Sequence, residues 1–171
     1  MRLNQLIDGT REFASIYRNS KPGLLGIALL LFFVLTAIFA PFISPYDPYE
    51  RVDRPFRPPS NKYLLGTNDI GQDILSELIH GTRVSLTIGF LAALFTVVIG
   101  TLVGVVSGFL GGSVDEVLMR FTDVIMILPS IPLLILLMAI FGRQSYFIMI
   151  LAISITGWTG TARMVRSSTI S

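Results

Sequence analysis

The sequence predicts an all-α fold, a polytopic helical membrane protein with four transmembrane helices in this chain. Three observations carry that expectation. Long stretches, residues 23–43 and 84–110 above all, are apolar and free of charge until their edges. Charged residues make up only 14% of the chain, where a soluble domain carries about 25%. Small residues recur at spacings of four inside the apolar runs, the pattern that lets membrane helices approach closely.

Residues 1–22 form a mixed polar segment with Arg2, Arg11, Arg18 and Lys21. Pro22 and Gly23 open the first span, 23–43. At 1.5 Å per residue it reaches about 31 Å, enough to cross a hydrocarbon core. It is longer than a signal-peptide core and follows too long a polar segment, so it reads as a retained helix. Residues 44–83 are a polar loop. Pro45, Pro48, Pro55, Pro58 and Pro59 favour extended or turn structure in its first half. In its second half Ile74, Leu75, Leu78 and Ile79 share one face, which predicts a short amphipathic helix near 71–80.

Residues 84–110 are the second span. Gly100, Gly104 and Gly108 lie four apart and are expected to pack against another helix. Residues 111–119 read as a turn. The third span, about 119–141, starts with Arg120 and Asp123, placed to pair as i, i+3 neighbours. Pro129 and Pro132 in its interior should bend it. After a tight loop, the fourth span covers about 146–165. The charge rule for orientation is nearly balanced: with the N-terminus inside, seven basic residues fall inside and six outside.

Several kinds of chemistry are excluded. There is no cysteine and one histidine, His80, which removes disulfides, thiol catalysis and most metal-ligand spacings. The net charge of +2, with no dense basic patch, argues against a nucleic-acid partner. No G-x-x-x-x-G-K-[ST] string is present, so no phosphate-binding loop and no nucleotide cofactor is expected. Asp69, Asp73 and Glu77 lie four apart, and on a helix would form a carboxylate face; a solvated surface accounts for them more simply. Thr156 and Thr159 could line a route through the membrane or bond back to their own helix. Arg163 and Arg166 sit at the end of the fourth span, as anchors or as parts of a coupling surface.

Residues 65–86 read LGTNDIGQDILSELIHGTRVSL. This resembles the segment before the second helix in the C-type permease subunits of dipeptide and oligopeptide ABC importers. Leu65, Gly66, Thr67, Gly71, Asp73, Ser76, Gly81, Arg83, Ser85 and Leu86 match that pattern. Asn68, Gln72 and Glu77 depart from it, where the family has Asp, Arg and Arg. Residues 111–134 and 157–171 are similar to later stretches of the same family. The resemblance implies a structural role for Gly66, Thr67, Gly71, Asp73, Gly81, Arg83 and Ser85 in an external segment.

It also implies six transmembrane helices in the full-length family, a cytoplasmic N-terminus and a cell-membrane location. The implied activity is peptide passage driven by ATP, hydrolysed in partner subunits and not in this chain. The implied partners are a second, homologous permease, two cytoplasmic ABC ATPases and an external solute-binding protein, within the lipid bilayer. The family's E-A-A coupling segment is not among these 171 residues, so the sequence reads as an N-terminal portion. Nickel or another small solute, or a truncated non-transporting subunit, are the alternative readings.

Overall fold

The structure is a computed structural model that describes residues 20–141 and 146–170. Most of the expected cytoplasmic segment 1–22, and the loop before the last span, lie outside the described residues. Five helices follow in order: α1, Lys21–Ile43; α2, Ile74–Leu110; α3, Gly112–Ile127; α4, Ser130–Phe141; and α5, Tyr146–Ile170. No strand accompanies them among the described residues; a single bridge joins Thr67 to Asp73. Three of the helices, α1, α2 and α5, are long and apolar enough to cross a membrane, and α3 with α4 supplies a fourth span if the bent pair counts as one. The chain is a multi-pass membrane protein.

The chain divides into two compact units, one up to Leu86 and one from Thr87 onward. In the first, Ser20 starts α1: its hydroxyl accepts the Gly23 N–H at 3.3 Å, and Pro22 sits in the first turn, where its missing N–H is harmless. Leu30, Phe32 and Phe42 are more than 60% exposed, so this helix finds its apolar surroundings in lipid or in another chain.

α2 is longer than the sequence suggests. The amphipathic helix expected near 71–80 is not a separate element; it forms the first turns of one rod that continues unbroken to Leu110. A single glycine such as Gly81 weakens a helix by only about 1 kcal/mol, too little by itself to end one. The rod is about 55 Å long, so its polar start projects beyond any hydrocarbon core.

In the second unit, the turn expected over 111–119 is confined to its first residues. Gly111 and Gly112 take positive φ values of 61° and 53°, a conformation open to glycine, and α3 begins at once. α3 and α4 meet at a 75° bend. Pro129 sits at that break. Pro132 falls in the first turn of α4, where it bends nothing.

Candidate functional site

The first unit gives the loop after α1 a defined shape despite its many prolines. Backbone bonds fold residues 52–57 against 67–71: Val52 N–H donates to Gly71 O at 2.9 Å, Phe56 N–H to Asn68 O at 3.1 Å, and Thr67 N–H to Arg57 O at 3.1 Å. Thr67 is buried at the crossing. Its hydroxyl accepts from Arg57 N–H at 2.9 Å and donates to Arg54 O at 2.7 Å. Tyr63, also buried, donates its hydroxyl to Val52 O at 3.0 Å.

Two glycines of the matching motif are required by this geometry. Gly66 and Gly71 have φ of 80° and 86°, and a Cβ would stand 2.3 Å from Arg57 O and 2.2 Å from Asp53 O. Any side chain there would have to displace backbone.

Asp73 ends the loop and starts α2. Its carboxylate accepts from Ser76 N–H at 2.9 Å and from the Ser76 hydroxyl at 2.7 Å, the geometry of a helix N-cap. Ser76 Oγ in turn accepts from Tyr46 N–H at 3.2 Å, so the cap also ties down the chain leaving α1. Asp73 is buried and its Oδ1 has no hydrogen-bonding partner among the described residues. The carboxylate face imagined for Asp69, Asp73 and Glu77 does not exist, because Asp69 lies in the turn before the helix. Gly81, Arg83 and Ser85 lie further along α2 and are exposed.

Two of the three departures from the family pattern are each other's partners. Asn68 Nδ2 donates to Gln72 Oε1 at 3.0 Å, while Asn68 Oδ1 accepts the N–H of Ile70 and of Gln72. Gln72 Nε2 donates onward to Tyr49 O at 3.0 Å. A neutral amide pair thus stands where the pattern has an acid and a base four residues apart. Outside the spans, the Arg54 N–H on Asp53 holds that carboxylate below its ordinary value, with Arg57 and Lys62 acting in the same direction.

In the second unit, α2 and α5 meet through small residues. A Cβ on Gly100 would lie 2.7 Å from Trp158 O, and one on Gly104 would lie 2.5 Å from Ala162 O and 2.8 Å from Val165 Cβ. On Gly108 it would lie 2.7 Å from Thr169 Cβ. From the other side, a Cβ on Gly157 would meet Thr96 Oγ1 at 3.0 Å. Trp158 is buried and stacks on Phe121 of α3, ring centroids 6.3 Å apart. The hydroxyl of Thr156 donates to Ala152 O at 3.2 Å, and that of buried Thr159 to Thr156 O at 3.0 Å.

The charges of this unit pair differently from the sequence expectation. Arg120 binds Glu116, at 2.6 Å from Nη2, and not Asp123. Asp123 is taken by Arg163 of α5. Helical geometry allows both the i−4 and the i+3 partner, and the cross-helix arginine decides between them. Arg166 makes a forked contact, Nε to Asp115 Oδ1 and Nη2 to Oδ2, and the Ser107 hydroxyl donates to the same Oδ1. The side chains of Asp115 and Arg166 keep only 16% and 33% of their exposure, against 63% and 77% for Glu116 and Arg120. The former pair joins two helices and is the more sheltered, while the latter lies within α3.

Ser107 was not singled out by the sequence, and Asp115 stood there only as one match in the stretch 111–134 that is similar to the family, with no partner assigned. Their signal was present, as two acids on one helix (115 and 123) facing two arginines on another (163 and 166). Among the described residues no cluster of His, Asp or Glu is placed to hold a metal ion.

Residues 100–171 match the family described as binding-protein-dependent transport system inner membrane component. Residues 10–62 match the N-terminal TM domain of oligopeptide transport permease C. Among relatives, the oligopeptide transport system permease protein OppC of Bacillus subtilis is 38% identical over 90% of this chain and 50% of its own length. The dipeptide transport system permease protein DppC of the same organism is 35% identical over 90% of this chain and 48% of its own. The di/tripeptide transport system permease protein DppC of Pseudomonas aeruginosa is 34% identical over 92% and 54%. The chain spans about half the length of these curated relatives. Along most of its own length the chain is similar to one kind of protein, the OppC and DppC permease proteins of peptide transport systems.

Proposed function

We propose that the protein acts as a permease subunit of an ATP-driven ABC importer and forms part of the path for di- or oligopeptides across the cell membrane. The supporting observation is the agreement of relatives, all peptide permeases by name, over about nine-tenths of this chain. Nothing among them favours nickel. In this reading the chain catalyses nothing. A homologous permease completes the pore, two ATPases supply the energy, and a binding protein delivers the peptide from outside.

In this reading the N-terminus lies in the cytoplasm, residues 44–83 lie outside, and Arg163 and Arg166 face the ATPases. Gly66, Thr67, Gly71 and Asp73 then serve as the frame of an external platform. Thr156 remains the candidate for the path wall, while buried Thr159 is better suited to packing. Alternating access would come from rocking of packed helices.

The test is reconstitution of the full permease complex in liposomes. Peptide-loaded binding protein should raise ATP turnover and drive peptide inward. An intact complex that does neither would reject the proposal.

A further inference from the structure

We propose that Asp115, braced by Ser107, is a positioning residue that makes α2, α3 and α5 move as one body when force reaches the end of α5. The proposal rests on the permease reading above. Its basis is that a single carboxylate joins three helices. Asp115 lies in the first turn of α3, Arg166 reaches it from α5 with both prongs of the guanidinium, and Ser107 reaches it from the last turns of α2.

Two neighbouring features make this joint stiff. A second pair, Asp123 with Arg163, ties the same two helices two turns further along α3. On the adjoining face of α5, Gly104 and Gly108 approach Val165, Arg166 and Thr169 so closely that a Cβ on either glycine would stand 2.5–3.1 Å from them or from Ala162 O. A forked arginine–carboxylate contact is directional, unlike the point contact of a lysine. Rotation of α5 about its axis must therefore either carry α3 with it or break the fork. Of the other contacts between α5 and α3, the stacking of Trp158 on Phe121 has an orientation preference of its own, but a weaker one than a forked ion pair. The charged joint supplies the torsional link, and the glycines supply the close fit.

The experiment uses the full permease assembled with its ATPases and binding protein in liposomes, with peptide uptake and ATP hydrolysis measured together. D115N keeps the shape of the side chain and removes its charge; R166K keeps the charge and removes the fork. D115N should assemble and hydrolyse ATP at the unstimulated rate, and in both variants peptide moved per ATP should fall roughly tenfold, the change expected from losing one charge-assisted bond. S107A should show a smaller fall. The exchange D115R/R166D, where it assembles, should recover most of the ratio.

An unchanged ratio in D115N and R166K would overturn the proposal. So would a uniform loss of assembly and of both rates at constant ratio, since that is the mark of a merely structural contact. If the unaltered complex moves no peptide at all, the permease reading itself fails, and this inference falls with it.

Discussion

Gly104 offers the sharpest test of how closely α2 and α5 approach. An alanine methyl there would lie 2.5 Å from Ala162 O, about 0.9 Å inside the 3.4 Å at which ordinary contact begins. The obstructing atom is backbone, so no rotamer change relieves it and the helices must part. Overpacking of this kind costs about 1–3 kcal/mol. Exchanging glycine for alanine in a helix returns about 1 kcal/mol, so the raw effect of G104A understates the clash.

Gly89 provides the correction: it lies on the same helix with nothing within 4 Å of its Cβ position. G89A therefore reports the helix gain alone, and the difference between the two variants isolates the packing term at about 1–3 kcal/mol. Trp158 is the only tryptophan in the sequence and is buried at this contact. Its emission in a detergent melt follows separation of α5 from its neighbours. G104A should melt below the parent and G89A at or above it. Equal melting of the two variants would refute the close approach.

Three other perturbations probe the loop. N68D should destabilise it by about 0.5–1.5 kcal/mol, because a carboxylate cannot donate to Gln72; N68D/Q72R should regain most of that as an ion pair, in a double-mutant cycle of protease susceptibility. D73A should cost about 0.5–2 kcal/mol as a lost N-cap, read as faster amide exchange at Ser76 and Glu77. Asp53 titrates below its ordinary value of 3.8 in the fold, so its contribution is complete above that pH and is lost as pH falls through the lower folded value. Acid opening of the loop, followed by amide exchange, should be blunted in D53N.

The fold class was legible because the spans are apolar by composition, and no tertiary information is needed to see that. The ends of α2 and α3 were not legible. Gly81 looks like punctuation in a sequence, yet it lies within α2, since the cost of one glycine is small beside the packing of a long rod, while Gly112 does mark a turn but the helix starts on it and not after Met119. The glycines at 100, 104 and 108 show their spacing in the sequence, but which helix they face depends on α5, whose contacting residues lie about sixty positions further along the chain. The charged residues were the least legible. Arg120 had two acids within helical reach, and only the presence of Arg163 beside Asp123 settles which one it takes. The amide pair at 68 and 72 was visible only as two separate departures from a pattern, and geometry makes them a single exchange.

The break between α3 and α4 has a further consequence, for water. The two helices are about 24 Å and 18 Å long, and neither alone crosses the roughly 30 Å of a hydrocarbon core. Around Leu128 and Pro129 the run of internal backbone bonds is interrupted. Leu128 N–H to Ile125 O at 3.1 Å closes α3 and Leu133 N–H to Pro129 O at 3.1 Å opens α4, and the proline between them has no N–H to give. Carbonyls left open in this way cannot face hydrocarbon. Wherever the bend lies in the bilayer, it needs neighbouring protein or a hydrated crevice beside it. Lipid can surround α1, but it cannot surround the 75° bend.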